Sequence, residues 1–267
     1  MKVSVVCPTY EREEYGPLLY KIFDSQTYAD RELIVYDDSP SPSAFFLQLT
    51  DPKVQYYHSS ARAKVGAKRN WLAKEASGEL LAHFDDDDYY APHYLTQMVA
   101  NLGDADLVKL SSFYLFSVTN RQFAYWDLNQ AADIHFRLES GSPIDILQTD
   151  VMSAQQRELW QLKNLLGYGF SSVYRKDLWE RVPFLDERHG EDFHFVEAAM
   201  QAGAKIRMPL DRDGLALVFR HPNDSSIVYP QYLLPAHLIE NIFGAEGRQF
   251  VEHALARNDA RKTGQVA

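Results

Sequence analysis

Cysteine is almost absent from this chain of 267 residues, which contains only Cys7. A single thiol cannot form an intramolecular disulfide or a multi-cysteine zinc site, so a disulfide framework and a zinc-finger architecture are both excluded. Cys7 lies in an apolar run, which indicates a small buried side chain.

Long hydrophobic runs are also missing. No window of the sequence approaches the ~18 apolar residues of a membrane-spanning helix. The first apolar run stops at Pro8, which is too early for a signal peptide. Because no transmembrane segment or leader is predicted, we expect a soluble protein of the cytoplasm.

Basic residues are in deficit, with 27 Lys and Arg against 37 Asp and Glu, a net charge of −10. Proteins that hold nucleic acid through phosphate contacts usually carry the opposite sign, so a nucleic-acid partner is disfavoured. A local basic groove remains open as an exception, formed by Arg62, Lys64, Lys68 and Arg69. The composition, 46% apolar and 24% charged, is that of a globular protein.

Strand and helix patterns alternate through the first hundred residues. Strands are predicted at 3–7, 32–36, 54–57 and 80–84, and helices at 15–25, 64–76 and 92–102. Helices between successive strands imply right-handed crossovers and a parallel sheet, hence an α/β fold. The second half is less regular. It suggests strands at 107–110, 113–118, 171–174 and 215–219, helices at 191–202 and 244–256, and an irregular insertion at 121–163.

Polar residues follow three of the predicted strands. Pro8-Thr9, Asp37-Asp38 and the run Asp85 to Asp88 each begin where a strand ends. The carboxyl ends of parallel strands form the ligand crevice of an open sheet, so these segments predict one site. Four adjacent carboxylates repel one another unless a cation is present, and magnesium or manganese prefers such oxygens. A solvated acidic loop is the alternative reading.

Several segments resemble motifs of the family 2 glycosyltransferases, in order and at family spacing, over residues 1–100. They are Val3 to Tyr10, Gln26 to Tyr28 with Glu32 to Ser39, Gly66 to Asn70, and Ser77 to Glu79 with Phe84 to Pro92. A weaker resemblance extends to Gly190-Glu191-Asp192 and Arg220-His221. Each motif alone is modest evidence, but the ordered set is specific.

The resemblance implies a GT-A fold: a Rossmann-like, mostly parallel central sheet flanked by helices, with a less regular acceptor half. It also implies inverting sugar transfer from a nucleotide-diphosphate sugar, most commonly a UDP-sugar, with divalent manganese or magnesium. We expect one domain over 1–267, with a nucleotide-sugar half at 1–104, an acceptor side at 105–243 and a terminal helix and tail at 244–267.

The resemblance also assigns residues on the donor side. Pro8, Thr9 and Tyr10 would line the nucleotide pocket, and Asp38 would accept hydrogen bonds from the base, with Asp37 beside it. Lys68 and Arg69 would lie near the base or the diphosphate, and Asp86 would face the ribose and the metal. The metal ligands would come from Asp86, Asp87, Asp88 and His221.

A catalytic base is the remaining requirement, because inverting transfer needs one group to remove the acceptor proton. The resemblance assigns this role to Asp192, with Glu191 orienting it or facing the acceptor. Both could instead be acidic residues that complement the dipole of the helix they begin.

The chain departs from the family pattern at some positions. Glu11 stands where family members often have Asn, and Ser39-Pro40 replaces the usual Gly-Ser. No Gln-x-x-Arg-Trp motif is present, which argues against a processive polysaccharide synthase.

Two other functions are considered. A metal-dependent nucleotidyltransferase would usually bring a glycine-rich phosphate loop, and this sequence has none. A catalytically inactive nucleotide-sugar-binding module would not need both the aspartate run and Asp192. The acceptor stays open among glycans, lipid-linked sugars, proteins, small molecules and modified nucleobases.

Overall fold

The computed structural model describes residues 1–130, 132–139, 142–222 and 227–263. The end of the predicted C-terminal tail, residues 264–267, lies outside this part. The chain forms two compact units. Unit 1 comprises Met1–Asp87, Pro92–Leu110 and Leu166–Pro209, and unit 2 comprises Asp88–Ala91, Ser111–Leu165 and Leu210–Ala267.

The strands of the described residues are, in chain order, β1 Val3–Thr9, β2 Arg31–Asp37, β3 Val54–His58, β4 Leu80–His83, β5 Tyr89–Tyr90, β6 Leu107–Val108, β7 Ser112–Ser117, β8 Gln122–Asp127, β9 Ile134–Arg137, β10 Asp145–Gln148, β11 Val173–Arg175, β12 Ile206–Arg207, β13 Ala216–Arg220 and β14 Tyr232–Leu234. The helices are α1 Gly16–Ser25, α2 Ala44–Gln48, α3 Val65–Glu75, α4 Tyr94–Leu102, α5 Ala154–Leu166, α6 Lys176–Arg181, α7 Glu191–Gln201 and α8 Leu238–Lys262.

A seven-stranded sheet forms the centre of unit 1, in the order β12-β6-β11-β4-β1-β2-β3. Every neighbouring pair is parallel except the two made by β11. β1 is buried from Val3 to Cys7, as expected for a parallel strand with both faces covered. These observations confirm the predicted α/β fold with a mostly parallel sheet.

Helices α3 and α7 supply part of the apolar core of unit 1. Leu72 of α3 and Phe195 of α7 are buried in the same cluster as Val6, Ile34 and Leu81 of the sheet. The predicted helices at 64–76 and 191–202 therefore exist, with boundaries within two residues of those expected. Burial of these apolar faces fixes the polar residues at the strand ends.

Unit 2 contains a second sheet that the sequence patterns did not predict, in the order β14-β8-β7-β13-β5. β7 and β8 form an antiparallel hairpin, and β13 lies parallel to β7. The segment 121–163, expected to be irregular, instead holds β8, the antiparallel pair β9–β10 and most of α5. The buried aromatic residues Phe123 and Trp126 explain why β8 is a core strand.

The terminal helix α8 is longer than predicted and is interrupted at Gly244, whose φ is 68°. This left-handed backbone conformation favours glycine because residues with a side chain are strained at such a φ, although the space around Gly244 is open. Across the ranges that the structure describes, we find no helix with the length and apolar character needed to cross a membrane.

Candidate active site

The carboxyl ends of β1, β2 and β4 bring polar residues together in unit 1. Thr9 pairs in register with Asp37, and the Thr9 hydroxyl donates a 2.5 Å hydrogen bond to Asp86. The amide of Asp38 donates to the carbonyl of Thr9. The three segments that follow strands in the sequence therefore meet at one edge of the sheet.

Asp38 is the most heavily hydrogen-bonded of these groups. Its buried carboxylate accepts from Arg62 at 2.6 Å, from Lys68 at 2.5 Å and from the amide of Ala63 at 2.8 Å. Burial lowers the pKa of Lys68, against the opposing attraction of Asp38. Lys68 also donates to the carbonyl of Thr9 at 2.8 Å, and its predicted position near the base or the diphosphate stays a prediction.

Tyr10 follows β1 directly, and Pro8 lies within the strand, paired with Tyr36. The guanidinium of Arg62 lies over the Tyr10 ring, 3.2 Å from its centroid. Sequence reasoning named Arg62 only as part of a possible basic groove. An arginine shortly before α3 gave no sign that it would join Tyr10 to Asp38, because that contact depends on the tertiary fold.

Asp37 is also buried, but its carboxylate is directed toward the loop after β2. It accepts from the amide of Ser39 at 2.9 Å and from the hydroxyl of Tyr56 at 2.7 Å. Ser39 in turn accepts from the amide of Glu11 at 2.7 Å. Asp37 thus holds the loops after β1 and β2 in place.

A cavity of about 400 Å³ opens between these two loops. Its polar wall includes Thr9, Asp37 and Asp86, and its apolar wall includes Leu19 and Phe46. The loop after β2 ends at Ser43, which caps α2 by accepting from the amide of Phe46 at 3.2 Å. The complete lining is Thr9, Glu11, Arg12, Glu13, Gly16, Leu19, Asp37, Ser39, Pro40, Ser41, Pro42, Ser43, Ala44, Phe46 and Asp86.

Asp86 and Asp87 form the acidic wall of the site in unit 1. Burial raises the pKa of Asp86, and the charge of Asp87 raises it further, against the effects of Arg12 and Thr9. Arg12 forms an ion pair with Asp87. A raised carboxylate pKa means that the local positive charge does not fully offset the burial of the anion.

These two carboxylates suit a magnesium or manganese ion that is shared with a substrate diphosphate. Magnesium is commonly bound by one or two carboxylates together with phosphate oxygens, so a larger protein cage is not required. Within 1–130, 132–139, 142–222 and 227–263, no three His, Cys, Asp or Glu side chains form a group that could hold a metal by themselves.

The other two predicted ligands belong to unit 2. Asp88 is buried, and one of its carboxylate oxygens accepts from the amide of Phe219 at 2.8 Å. His221 is also buried, and its ring lies nearly parallel to that of Phe219 with the centroids 6.1 Å apart. Their assignment as metal ligands stays a prediction.

Arg69 points toward the acidic pair at the start of α7. Its Nε donates to Glu191 at 3.2 Å, and its guanidinium approaches Asp85 at 3.8 Å. A further nitrogen of Arg69 contacts Nδ1 of His83 at 2.9 Å. Burial, reinforced by Arg69, holds the pKa of His83 well below its usual range, so this core histidine is neutral.

Asp192 is fixed by backbone amides. One carboxylate oxygen accepts from Gly169 at 2.8 Å and the other from Phe193 at 2.7 Å. A side chain at residue 169 would place its Cβ 2.7 Å from the Cβ of Asp192, so only glycine allows this approach. The ammonium of Lys109 donates a hydrogen bond to the carbonyl of Gly167, two residues before Gly169. No sequence pattern identified Gly169 or Lys109.

Comparisons with known proteins identify the family of this chain. A family model described as "Glycosyl transferase family 2" matches residues 4–181. A putative colanic acid biosynthesis glycosyl transferase of Escherichia coli K12 is 28% identical over 103 residues, 37% of this chain and 37% of the relative. An Escherichia coli UDP-Glc:α-D-GlcNAc-diphosphoundecaprenol β-1,3-glucosyltransferase is 29% identical over 100 residues, 37% of this chain and 40% of the relative. The chain thus matches less than half the length of either relative.

A solved structure shows the same fold. S. aureus TarS 1–349, in complex with UDP-GlcNAc, superposes with a TM-score of 0.58 at 20% identity, covering 96% of this chain and 72% of that chain. The likeness confirms the predicted GT-A fold.

Proposed function

The chain belongs to glycosyl transferase family 2, and we propose that it transfers a sugar from a UDP-sugar to an acceptor hydroxyl with inversion at the anomeric carbon. The observation that carries this proposal is the position of Arg69. It joins Glu191, the neighbour of Asp192, to the aspartate run at Asp85. Arg69 thereby connects a metal- and donor-binding edge to a candidate base.

The donor would bind along the strand ends. Asp38 would accept hydrogen bonds from the nucleobase, Tyr10 and Arg62 would border it, and Asp86 would face the ribose. The UDP-GlcNAc complex of TarS and the UDP-Glc donor in the name of the Escherichia coli glucosyltransferase support a uridine nucleotide.

Asp86 and Asp87 would hold manganese or magnesium against the donor diphosphate. The bound ion would stabilise the negative charge that develops on the departing diphosphate. Arg12, already paired with Asp87, adds a positive charge at the same edge.

The transfer itself needs one proton acceptor. Asp192 would take the proton of the acceptor hydroxyl while that oxygen bonds to the anomeric carbon. The bond from this carbon to the diphosphate oxygen breaks on the opposite face, and UDP leaves with the bonding electrons. Hydrogen bonds from Gly169 and Phe193 keep the Asp192 carboxylate oriented, and Arg69 keeps Glu191 beside it.

A sugar linked to a polyprenyl diphosphate is the acceptor class that we propose. It is the class printed in the name of the Escherichia coli glucosyltransferase. Because that match spans 40% of the relative, the acceptor must be established on this chain itself.

A thermal-shift panel tests the donor and the metal together. UDP, GDP, dTDP and CMP are added with and without manganese to the wild type, to Asp87→Ala and to Asp30→Ala, an exposed control. A ligand that binds only the folded protein raises the melting temperature. We expect UDP with manganese to stabilise the wild type and Asp30→Ala but not Asp87→Ala. Equal shifts in all three proteins would exclude Asp87 as a metal ligand, and no shift with any nucleotide would contradict the proposed donor site.

A further inference from the structure

Lys109 is a buried cation outside the donor-binding edge. It follows β6, its side chain has no exposed surface, and its ammonium donates to the carbonyl of Gly167. Burying an ammonium group is unfavourable unless nearby groups compensate for the lost hydration. A lysine retained in such a place calls for a reason beyond packing.

The carbonyl that Lys109 binds belongs to a tight turn formed by Gly167, Tyr168 and Gly169, called here the 167–169 turn. Tyr168 has φ 59° and ψ 67°, a left-handed conformation that is uncommon for an aromatic residue. Such a conformation persists only where neighbouring contacts hold it. The hydrogen bond from Lys109 is one contact of this kind.

The other end of the 167–169 turn contacts Asp192. The amide of Gly169 donates to one carboxylate oxygen at 2.8 Å, and the missing side chain lets the two backbones approach. The carbonyl of Gly169 lies 3.0 Å from Nδ1 of His83. Any movement of the turn therefore moves the hydrogen bond that orients Asp192.

Charge links the two ends of the turn as well. Burial lowers the pKa of Lys109 to about 8, and the carboxylate of Asp192 opposes that effect. The charged groups that also face Asp192 include Arg69 and Asp85, and Glu191 is its neighbour in the chain.

We propose that Lys109 is a positioning residue for Asp192, holding the 167–169 turn so that the Gly169 amide orients the carboxylate. The inference rests on the proposed role of Asp192 as proton acceptor. Lys109 itself contacts neither sugar nor nucleotide in this assignment.

The test compares Lys109→Met, which keeps the length and removes the charge, with Lys163→Met at an exposed lysine. Hydrolysis of UDP-glucose and UDP-GlcNAc, followed by UDP release, measures turnover with water as acceptor. We expect kcat of Lys109→Met to fall roughly 10- to 100-fold, the effect of a misplaced catalytic group, with KM for the donor unchanged. The control should match the wild type, and the melting temperature of Lys109→Met, measured alongside, reports the loss of stability from the unpaired Gly167 carbonyl.

The pH profile separates positioning from packing. Wild-type kcat should decline as the pH rises past about 8, where Lys109 loses its proton, and Lys109→Met should lack this limb. Hydrogen exchange at the Gly169 amide gives a second reading without turnover. The exchange rate of the Gly169 amide, corrected for its intrinsic pH dependence, should be higher in Lys109→Met than in the wild type. In the wild type, the same corrected rate should rise above pH 8.

Wild-type kcat and unchanged Gly169 exchange in Lys109→Met would overturn the proposal. If that variant fails to fold, the pH dependence of Gly169 exchange in the wild type decides: a profile that stays flat past the ordinary lysine pKa of about 10.4 overturns the proposal. Asp192→Asn distinguishes the two hypotheses. Full turnover in Asp192→Asn would refute the base assignment, while loss of turnover there with an unaffected Lys109→Met would refute only the role of Lys109.

Discussion

Asp38 and Lys68 form a buried ion pair whose side chains are 0% and 4% exposed, so little solvent screens it. Removing one partner of such a pair leaves an uncompensated buried charge. The same pair connects the helix motif of the sequence to the strand-end motif, although 30 residues separate its members. At the scale of single residues, the carboxylate that we propose as the acceptor for the nucleobase also contributes to stability.

We expect Asp38→Asn to lower the free energy of unfolding by about 3–5 kcal/mol, because Lys68 loses its countercharge. Lys68→Met alone should also destabilise, and Asp38→Asn/Lys68→Met should recover part of the loss. Urea unfolding of the four proteins gives the coupling energy. The exposed pair Asp104–Lys205 is the matched control, where Asp104→Asn should change stability by less than about 1 kcal/mol. Additive effects at Asp38 and Lys68 would contradict a buried pair.

Sequence reasoning located the acidic residues but not their partners. Asp85 to Asp88 and Asp37-Asp38 follow strands whose apolar runs are unmistakable, so their shared edge could be predicted. The pairing of Arg69 with Glu191 could not, since 122 residues separate them and the contact depends on how α3 packs against α7. Lys109 gave no signal, because a single lysine at a strand end is ordinarily solvated.

At the scale of elements, two motif glycines are explained by backbone packing. A Cβ on Gly66 of α3 would lie 1.8 Å from the carbonyl oxygen of Leu185, and one on Gly78 would lie 2.7 Å from that of Lys2. These glycines let α3 and the start of β4 pack closely against neighbouring backbone. The parallel strands were predictable from continuous apolar runs, whereas β8 to β10 are short and mix apolar with polar residues, so the sequence gives no strong strand pattern there.

Glu32 ties three strands together at the opposite, amino end of the sheet in unit 1. It accepts from Lys2 at 2.6 Å, from Ser4 of β1 at 2.5 Å and from the amide of Ser77, before β4, at 2.8 Å. Burial raises the pKa of Glu32, but hydrogen bonds from Lys2, Ser4 and Ser77 outweigh it and lower the pKa to about 2. A carboxyl whose pKa is lower in the folded state stabilises the fold at neutral pH.

We expect Glu32→Gln to lower the free energy of unfolding at pH 7 by about 2–3 kcal/mol. The stabilisation is complete above the unfolded pKa of 4.5 and is lost as the pH falls toward 2. The difference between wild type and variant should therefore narrow below pH 4.5 in urea titrations. Glu75→Gln, at an exposed position of α3, is the control and should stay near the wild type. If the difference in unfolding free energy did not depend on pH, Glu32 would stabilise the fold through packing alone and not through its charge.

At the scale of the whole molecule, two properties oppose nucleic-acid binding. One is the net charge of −10, and the other is the pairing of the basic residues near the site with carboxylates. A basic groove of Arg62, Lys64, Lys68 and Arg69 would be the route to a nucleic-acid acceptor. In the structure, Arg62 and Lys68 bind Asp38, Arg69 binds Glu191, and Lys64 lies 3.6 Å from Asp186. Each cation of the supposed groove therefore has a carboxylate beside it.

We therefore expect this acidic protein to bind duplex DNA only with the weak affinity of non-specific binding. Fluorescence anisotropy with a labelled 20-base-pair duplex at 50 mM salt should show no saturation below about 100 μM, the weak end of ordinary non-specific binding. Asp38→Asn leaves the half-exposed Arg62 without its carboxylate, and it should gain measurable, salt-dependent affinity if pairing is what suppresses binding. Micromolar, salt-sensitive binding by the wild type would instead restore a modified nucleobase as an acceptor, since that result requires cations that these ion pairs do not neutralise.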